Sequence, residues 1–173
     1  TSKENTMSKK FGVCAPMGFA FYFFVSWLLI VIFTFMRKGL SFIENSFIIL
    51  LILIISINFS WITSAELNLI ELSNRPLNYT AFMLNRSINI PFVIIIALNL
   101  IKSINSTGRS VLITICSILV LVILARLGST FEITNREKWS ILNDFIYVVL
   151  LHIFAYITLK FYRGSKQSEE ISR

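Results

Sequence analysis

The sequence predicts an all-α membrane protein, a polytopic bundle of about five transmembrane helices, and three observations carry that expectation. Of 173 residues, 55% are hydrophobic and only 14% charged, whereas a water-facing domain of this length carries roughly 25% charged residues. The mean hydropathy is +0.76. Apolar runs long enough to cross a hydrocarbon core of ~30 Å recur along the chain, separated by short segments that collect the basic residues.

Residues 1–16 read as an N-terminal tail, its first six residues, TSKENT, being an expression scar or a disordered arm. The first span covers 17–36 and holds no charge. It is too long for the apolar region of a signal peptide, and Arg37-Lys38-Gly39 is no small-residue cleavage site. The second span, 43–63, carries Glu44 and Asn45 at its start and Trp61 near its end. The third is the weakest. Only 90–101 is strongly apolar, about 18 Å of helix, and extending it to 80–102 takes in Asn85, Arg86, Asn89 and Pro91. The fourth covers 110–127 and the fifth 141–161, before a polar tail over 164–173. The alternative is four spans, with 80–101 lying as a re-entrant or interfacial segment.

The net charge is +7. A basic excess in a soluble chain would point to nucleic acid, but here the basic residues sit at the ends of apolar runs, as anionic headgroups require. No nucleic-acid partner is expected. With the N-terminus outside, inner segments carry eight Lys and Arg (Arg37, Lys38, Lys102, Arg109, Lys160, Arg163, Lys166, Arg173) against six outside (Lys3, Lys9, Lys10, Arg75, Arg136, Lys138). That difference favours N-terminus out and C-terminus in. Richness in Ile, Phe, Asn and Lys points to an AT-rich bacterial genome, and so to a bacterial plasma membrane. In either orientation the two long connections, 64–79 and 128–140, share a face. Thr63-x-x-Glu66 and Thr134-x-x-Glu137 fit the capping box, which predicts a short interfacial helix after the second span and an early start to the fifth, leaving Trp139 in the headgroup belt. Cys14 and Cys116 fall towards opposite faces and are expected as free thiols.

Polar side chains inside the spans show which faces turn inward. At 100° per residue, Asn85, Asn89, Asn99 and Ser103 fall near one line along the third span. Bonds between helices are the structural reading of that stripe, and a polar solute path through Asn85, Arg86, Asn89 and Asn99 is the functional one. Ser110, Thr114, Ser117 and Gly128 form a small-residue seam on the fourth span, and Asn45, Ser56 and Thr63 a weaker line on the second, with Asn58 pointing away. His152 in the fifth span is either a proton-handling group or a neutral ring bonded to a neighbour's hydroxyl. Shared placement of the long connections would gather Glu66, Glu71 and Glu132 near Arg75, Arg86, Arg126 and Asp144, a polar rim that is the second candidate site.

Several chemistries are excluded by what is missing. One histidine cannot supply two axial ligands to a haem, and no HExxH, Cys/His cluster, Walker loop, nucleophile elbow or dinucleotide fingerprint is present. No metal, no cofactor and no autonomous enzymatic activity are expected. The first functional expectation is a subunit or partner-binding component of a larger membrane assembly, in contact with the lipid bilayer and with other subunits or further copies of this chain. The second is a small-solute or ion transporter, or its substrate-binding subunit, and the third a membrane sensor or immunity-type protein.

Overall fold

The computed structural model of the chain describes the backbone of residues 2–73, 75–104, 106–136 and 139–171, and side chains from 17 to 164 within those ranges. Cys14 and Glu137 lie outside the described side chains, and with them one thiol and the second expected capping box. Six α-helices and two short strands follow in the order α1 (Ser2–Phe35), α2 (Phe42–Trp61), β1 (Glu71–Leu72), α3 (Pro76–Leu84), α4 (Ile90–Ser103), α5 (Thr107–Thr130), β2 (Thr134–Asn135) and α6 (Ile141–Ile171). Five helical stretches are long and apolar enough to cross a membrane: Met17–Phe35, Phe42–Glu66, Pro76–Ser103, Thr107–Thr130 and Ile141–Gly164. They are called the first to fifth spans below.

Helix ends follow local chemistry. Ser41 caps α2 through a full capping box, its hydroxyl accepting from Glu44 N (3.3 Å) while the Glu44 carboxylate accepts from Ser41 N (2.7 Å). The box expected at Thr63 is not one. Thr63 lies inside the helix, in a π-helical turn at Ile62–Glu66 that prolongs α2, and its hydroxyl donates to Phe59 O (2.9 Å). The chain then leaves the helix at Asn68, in the left-handed region (φ 48°), and no interfacial helix forms. Thr134 belongs to β2 rather than to a helix start. At the end of α5, Glu132 takes the left-handed position (φ 55°) of a Schellman turn, with Ile133 N bonded to Gly128 O (2.9 Å) and Glu132 N to Ser129 O (3.1 Å).

The third span is one helix from Pro76 to Ser103 with a π-helical turn at Asn85–Asn89 between α3 and α4. Pro91 explains the widened turn. Its ring crowds the carbonyl four residues back and it has no N–H to give, so the helix relaxes into a five-residue turn closed by Ile90 N to Asn85 O. This span packs against all four others. It is also the most buried: 44% of its most apolar window is enclosed, against 17% to 28% in the other spans. The most buried span is therefore the axis of the bundle.

One apolar core lies among the second to fifth spans, centred on Ile48, Ile52, Ile94, Ile95 and Leu151. A smaller one, with Tyr22, Ala81, Leu124 and Ile133, seats α1 against α3 and the end of α5. The outside of the bundle is apolar as well, with Phe35, Phe42, Trp61, Leu112 and Phe161 among many large exposed side chains, far more than a water-facing surface presents in one patch. The two long connections meet directly, β1 pairing antiparallel with β2 (Glu71 opposite Asn135, Leu72 opposite Thr134). Among the described residues that ribbon is the one departure from the all-helical expectation.

At the other end, Gly39 turns the chain between the first two spans against the third. A Cβ there would stand 2.9 Å from Asn99 O and from Lys102 Cβ, so the turn must shift. Gly39→Ala is expected to lower stability by about 1–3 kcal/mol. Gly108→Ala, at the exposed start of α5 with nothing within 4 Å, is expected to be neutral or stabilising by about 0.5–1 kcal/mol. Unfolding of both variants in the same detergent checks the contrast.

Candidate functional site

The polar residues of the third span are shared among different neighbours. Asn99, fully buried, donates through Nδ2 to Asn45 Oδ1 (2.7 Å) and Ile95 O (2.8 Å), and its Oδ1 accepts from Leu40 N (3.1 Å). Asn45 donates in turn to Leu40 O (3.1 Å) and Ser41 O (2.9 Å). Asn89 faces α1 instead, its Oδ1 accepting from Ser26 Oγ (2.8 Å) and its Nδ2 lying 3.4 Å from Asn85 Oδ1. The expected single stripe is thus divided: Asn85 and Asn89 stay together, while Asn99, about 80° away from Asn89 at 100° per residue, serves a different helix. Tyr22 OH donates to Leu124 O (2.6 Å) and completes the seat of α1.

His152 has a partner on each side of its ring. A carbonyl only accepts, so Nδ1 donates to Val148 O (2.8 Å), and in the neutral ring Nε2 accepts from Ser117 Oγ (2.7 Å). Ser56 and Tyr147 join the second and fifth spans through a 2.9 Å hydroxyl pair. At the far end Glu44 takes Arg163 from α6 (2.7 and 3.2 Å) rather than the neighbouring Arg37 or Lys38.

Of the expected rim, the structure brings together Arg126 and Asp144, and adds two residues that the sequence did not single out for it. Asp144 is buried (4% exposed) one turn into α6. Its Oδ1 accepts from Arg136 Nη1 and from the Trp139 indole (2.9 Å). Arg126 Nη2 lies 2.9 Å from Oδ2, close enough for an ion pair though outside hydrogen-bond alignment. Trp139 is buried, its ring edge-on to Phe59 (ring centroids 6.0 Å apart). The remaining rim residues disperse. Glu66, Glu71, Arg75 and Glu132 are exposed, Glu71 meeting Asn135 across the ribbon (3.4 Å) and Glu132 serving the turn after α5.

Beside Asp144, the second to fifth spans wall a cavity at the end of the bundle that carries the long connections. Arg136, Asp144 and Tyr147 lie on one side and Ser60, Asn85 and Arg86 on the other. The room for water centres is about 60 Å³, several times the ~10–15 Å³ that one water needs. Its floor is apolar, formed by Ile90, Leu121 and Val148 above the fully packed Ile52, Ile94 and Leu151. A wider, more open groove of about 580 Å³ adjoins it between the second and third spans. Ser60, Ser64, Ile70 and Arg86 line both spaces, so Arg86 stands at the passage between them.

No known family model, curated protein or solved structure matches this chain.

The geometry separates two kinds of ion pair. Asp144→Asn takes the carboxylate away from Arg136 (11% exposed) and Arg126 (29% exposed) and is expected to cost about 3–5 kcal/mol. Arg163→Met removes a partly exposed cation (36% exposed) from Glu44, whose carboxylate is buried (9% exposed) but keeps its bond from Ser41 N (2.7 Å), and the loss should be smaller, about 1–2 kcal/mol. Chemical unfolding of both variants in detergent or bicelles measures the difference.

Proposed function

We propose that the chain is a multi-pass membrane protein that recognises a small polar ligand in the cavity beside Asp144, as the binding or sensing component of a membrane assembly rather than as an autonomous enzyme. The observation that carries this reading is the cavity itself. Elsewhere in the bundle the buried polar groups are paired in closed contacts, whereas here four spans converge on an open space walled by guanidinium, carboxylate, amide and hydroxyl groups, and such convergence is the usual form of a ligand site. The cavity is blind. A channel would need an opening through the packed isoleucines and leucines below it, so recognition from one face is the simpler use and transport would require the floor to move. The Lys and Arg distribution directs that face outward across a bacterial plasma membrane, with the N-terminus out and the C-terminus in.

Asn58 favours membership of an assembly. It is exposed on the outer face of the second span, and among the described residues its amide N–H donates only to its own helix (Ile54 O, 2.8 Å). Within a bilayer its amide oxygen lacks a partner unless another chain supplies one.

A thermal-shift screen of the purified protein against acidic, basic and neutral polar solutes tests the ligand reading. At least one class should raise the midpoint by several degrees in the wild type and not in Ser60→Phe, which fills the cavity. Equal behaviour of the two proteins across the whole panel contradicts it.

A further inference from the structure

The geometry points to an anion as the ligand: the Arg86 guanidinium, at the passage between groove and cavity, receives a carboxylate or phosphate group. This rests on the cavity being the ligand site and adds the charge and the contact residue. Three guanidiniums stand in this region, those of Arg86, Arg126 and Arg136, against one buried carboxylate, that of Asp144. Asp144 is already flanked by cations, one oxygen taking Arg136 and Trp139 and the other lying 2.9 Å from Arg126 Nη2, so a further cation would meet two guanidiniums beside a single carboxylate. Arg136 is committed in turn to Asp144 and to Thr134 Oγ1 (3.2 Å).

Arg86 is different. Among the described residues no carboxylate lies within ion-pair distance of it, and its Nε, like that of Arg126, is buried without a hydrogen-bond partner. Its contacts are soft ones, Met83 Sδ at 3.0 Å and the Phe82 ring at 5.4 Å from the guanidinium carbon. A guanidinium held by a thioether and a ring face keeps most of its planar fork of donors for a bidentate anion. Around it stand the hydroxyls of Ser60 and Ser64 and the amide of Asn85, whose oxygen is already engaged by Asn89. Glu71 lines the outer groove, but it is exposed, where solvent weakens its repulsion. The inner space has room for a carboxylate or phosphate group. The groove, with Ile57, Trp61 and Met83 on its walls, has room for the remainder of a larger molecule. The same headgroup chemistry can therefore arrive on a free solute or on an anionic lipid.

The experiment uses the full chain in nanodiscs of zwitterionic phosphatidylcholine, titrated at constant ionic strength with inorganic phosphate, acetate, ammonium and glucose, and compared with discs containing phosphatidylglycerol. Phosphate or acetate is expected to stabilise the wild type, with binding weakened about tenfold or more in Arg86→Gln and partly kept in Arg86→Lys. A lipid source is expected to appear as phosphatidylglycerol retained in native mass spectra by the wild type and lost from Arg86→Gln, with free phosphate no longer effective in the discs that contain it. Either pattern supports the anion site. If ammonium or glucose binds in a manner that Ser60→Phe abolishes while anions do not, the anion inference falls and the cavity reading stands. If anions bind the wild type and Arg86→Gln alike, the assignment to Arg86 falls. If no probe binds, both readings fall.

Discussion

An amide or hydroxyl in an apolar medium has no water to turn to, so its hydrogen bonds must be made with other parts of the protein. That constraint orders the whole bundle. The third span carries the most polar groups within its apolar length, and so it stands at the axis, where every other span can reach it. Asn99 and Asn45 tie it to the second span and to the turn at Leu40, and Asn89 with Ser26 ties it to the first. Ser117 with His152, and Ser56 with Tyr147, repeat the device between the outer helices. The large apolar residues are then free to cover both the core and the outside.

Charge obeys the same rule with a larger penalty. Asp144 is tolerated in its buried place because two arginines and an indole converge on it, and they arrive from three parts of the chain, α5, the connection after β2 and the residues just before α6. Pairing of β1 with β2 holds these connections together at one end of the bundle. Pro91 contributes at a distance. By widening the turn at Asn85–Asn89 it separates the direction of Arg86, towards the cavity, from that of Asn89, towards α1. Packing and a candidate site thus coexist on one helix, at different levels and on different faces.

Apolar run length made the helical, membrane-type architecture legible, because lipid sets a fixed length for a span and few sequences meet it by accident. A hydroxyl partner for His152 was one of the two readings its isolation allowed, and Ser117 supplies it. Other features were read too coarsely or lay beyond local pattern. The 100° periodicity places Asn85, Asn89 and Asn99 in one broad stripe, but Asn89 and Asn99 stand about 80° apart in it, enough to face different helices. The capping-box pattern was matched at Thr63, where the helix simply continues, and passed over at Ser41-x-x-Glu44, where the box forms. The signal was present, but a four-residue pattern cannot say where a helix begins. Arg136 and Trp139 were read as loop and headgroup residues because their convergence on Asp144 depends on how the ribbon folds the connection back, which no local pattern encodes.

The central claim is that buried amides on the third span hold the bundle together. A double-mutant cycle on Asn45→Ala and Asn99→Ala, followed by reversible unfolding in bicelles, tests it most directly. The account predicts a favourable coupling of about 0.6–2 kcal/mol between the two sites. Additivity within about 0.3–0.5 kcal/mol would contradict it, since two amides that ignore each other cannot be what sets the third span at the axis.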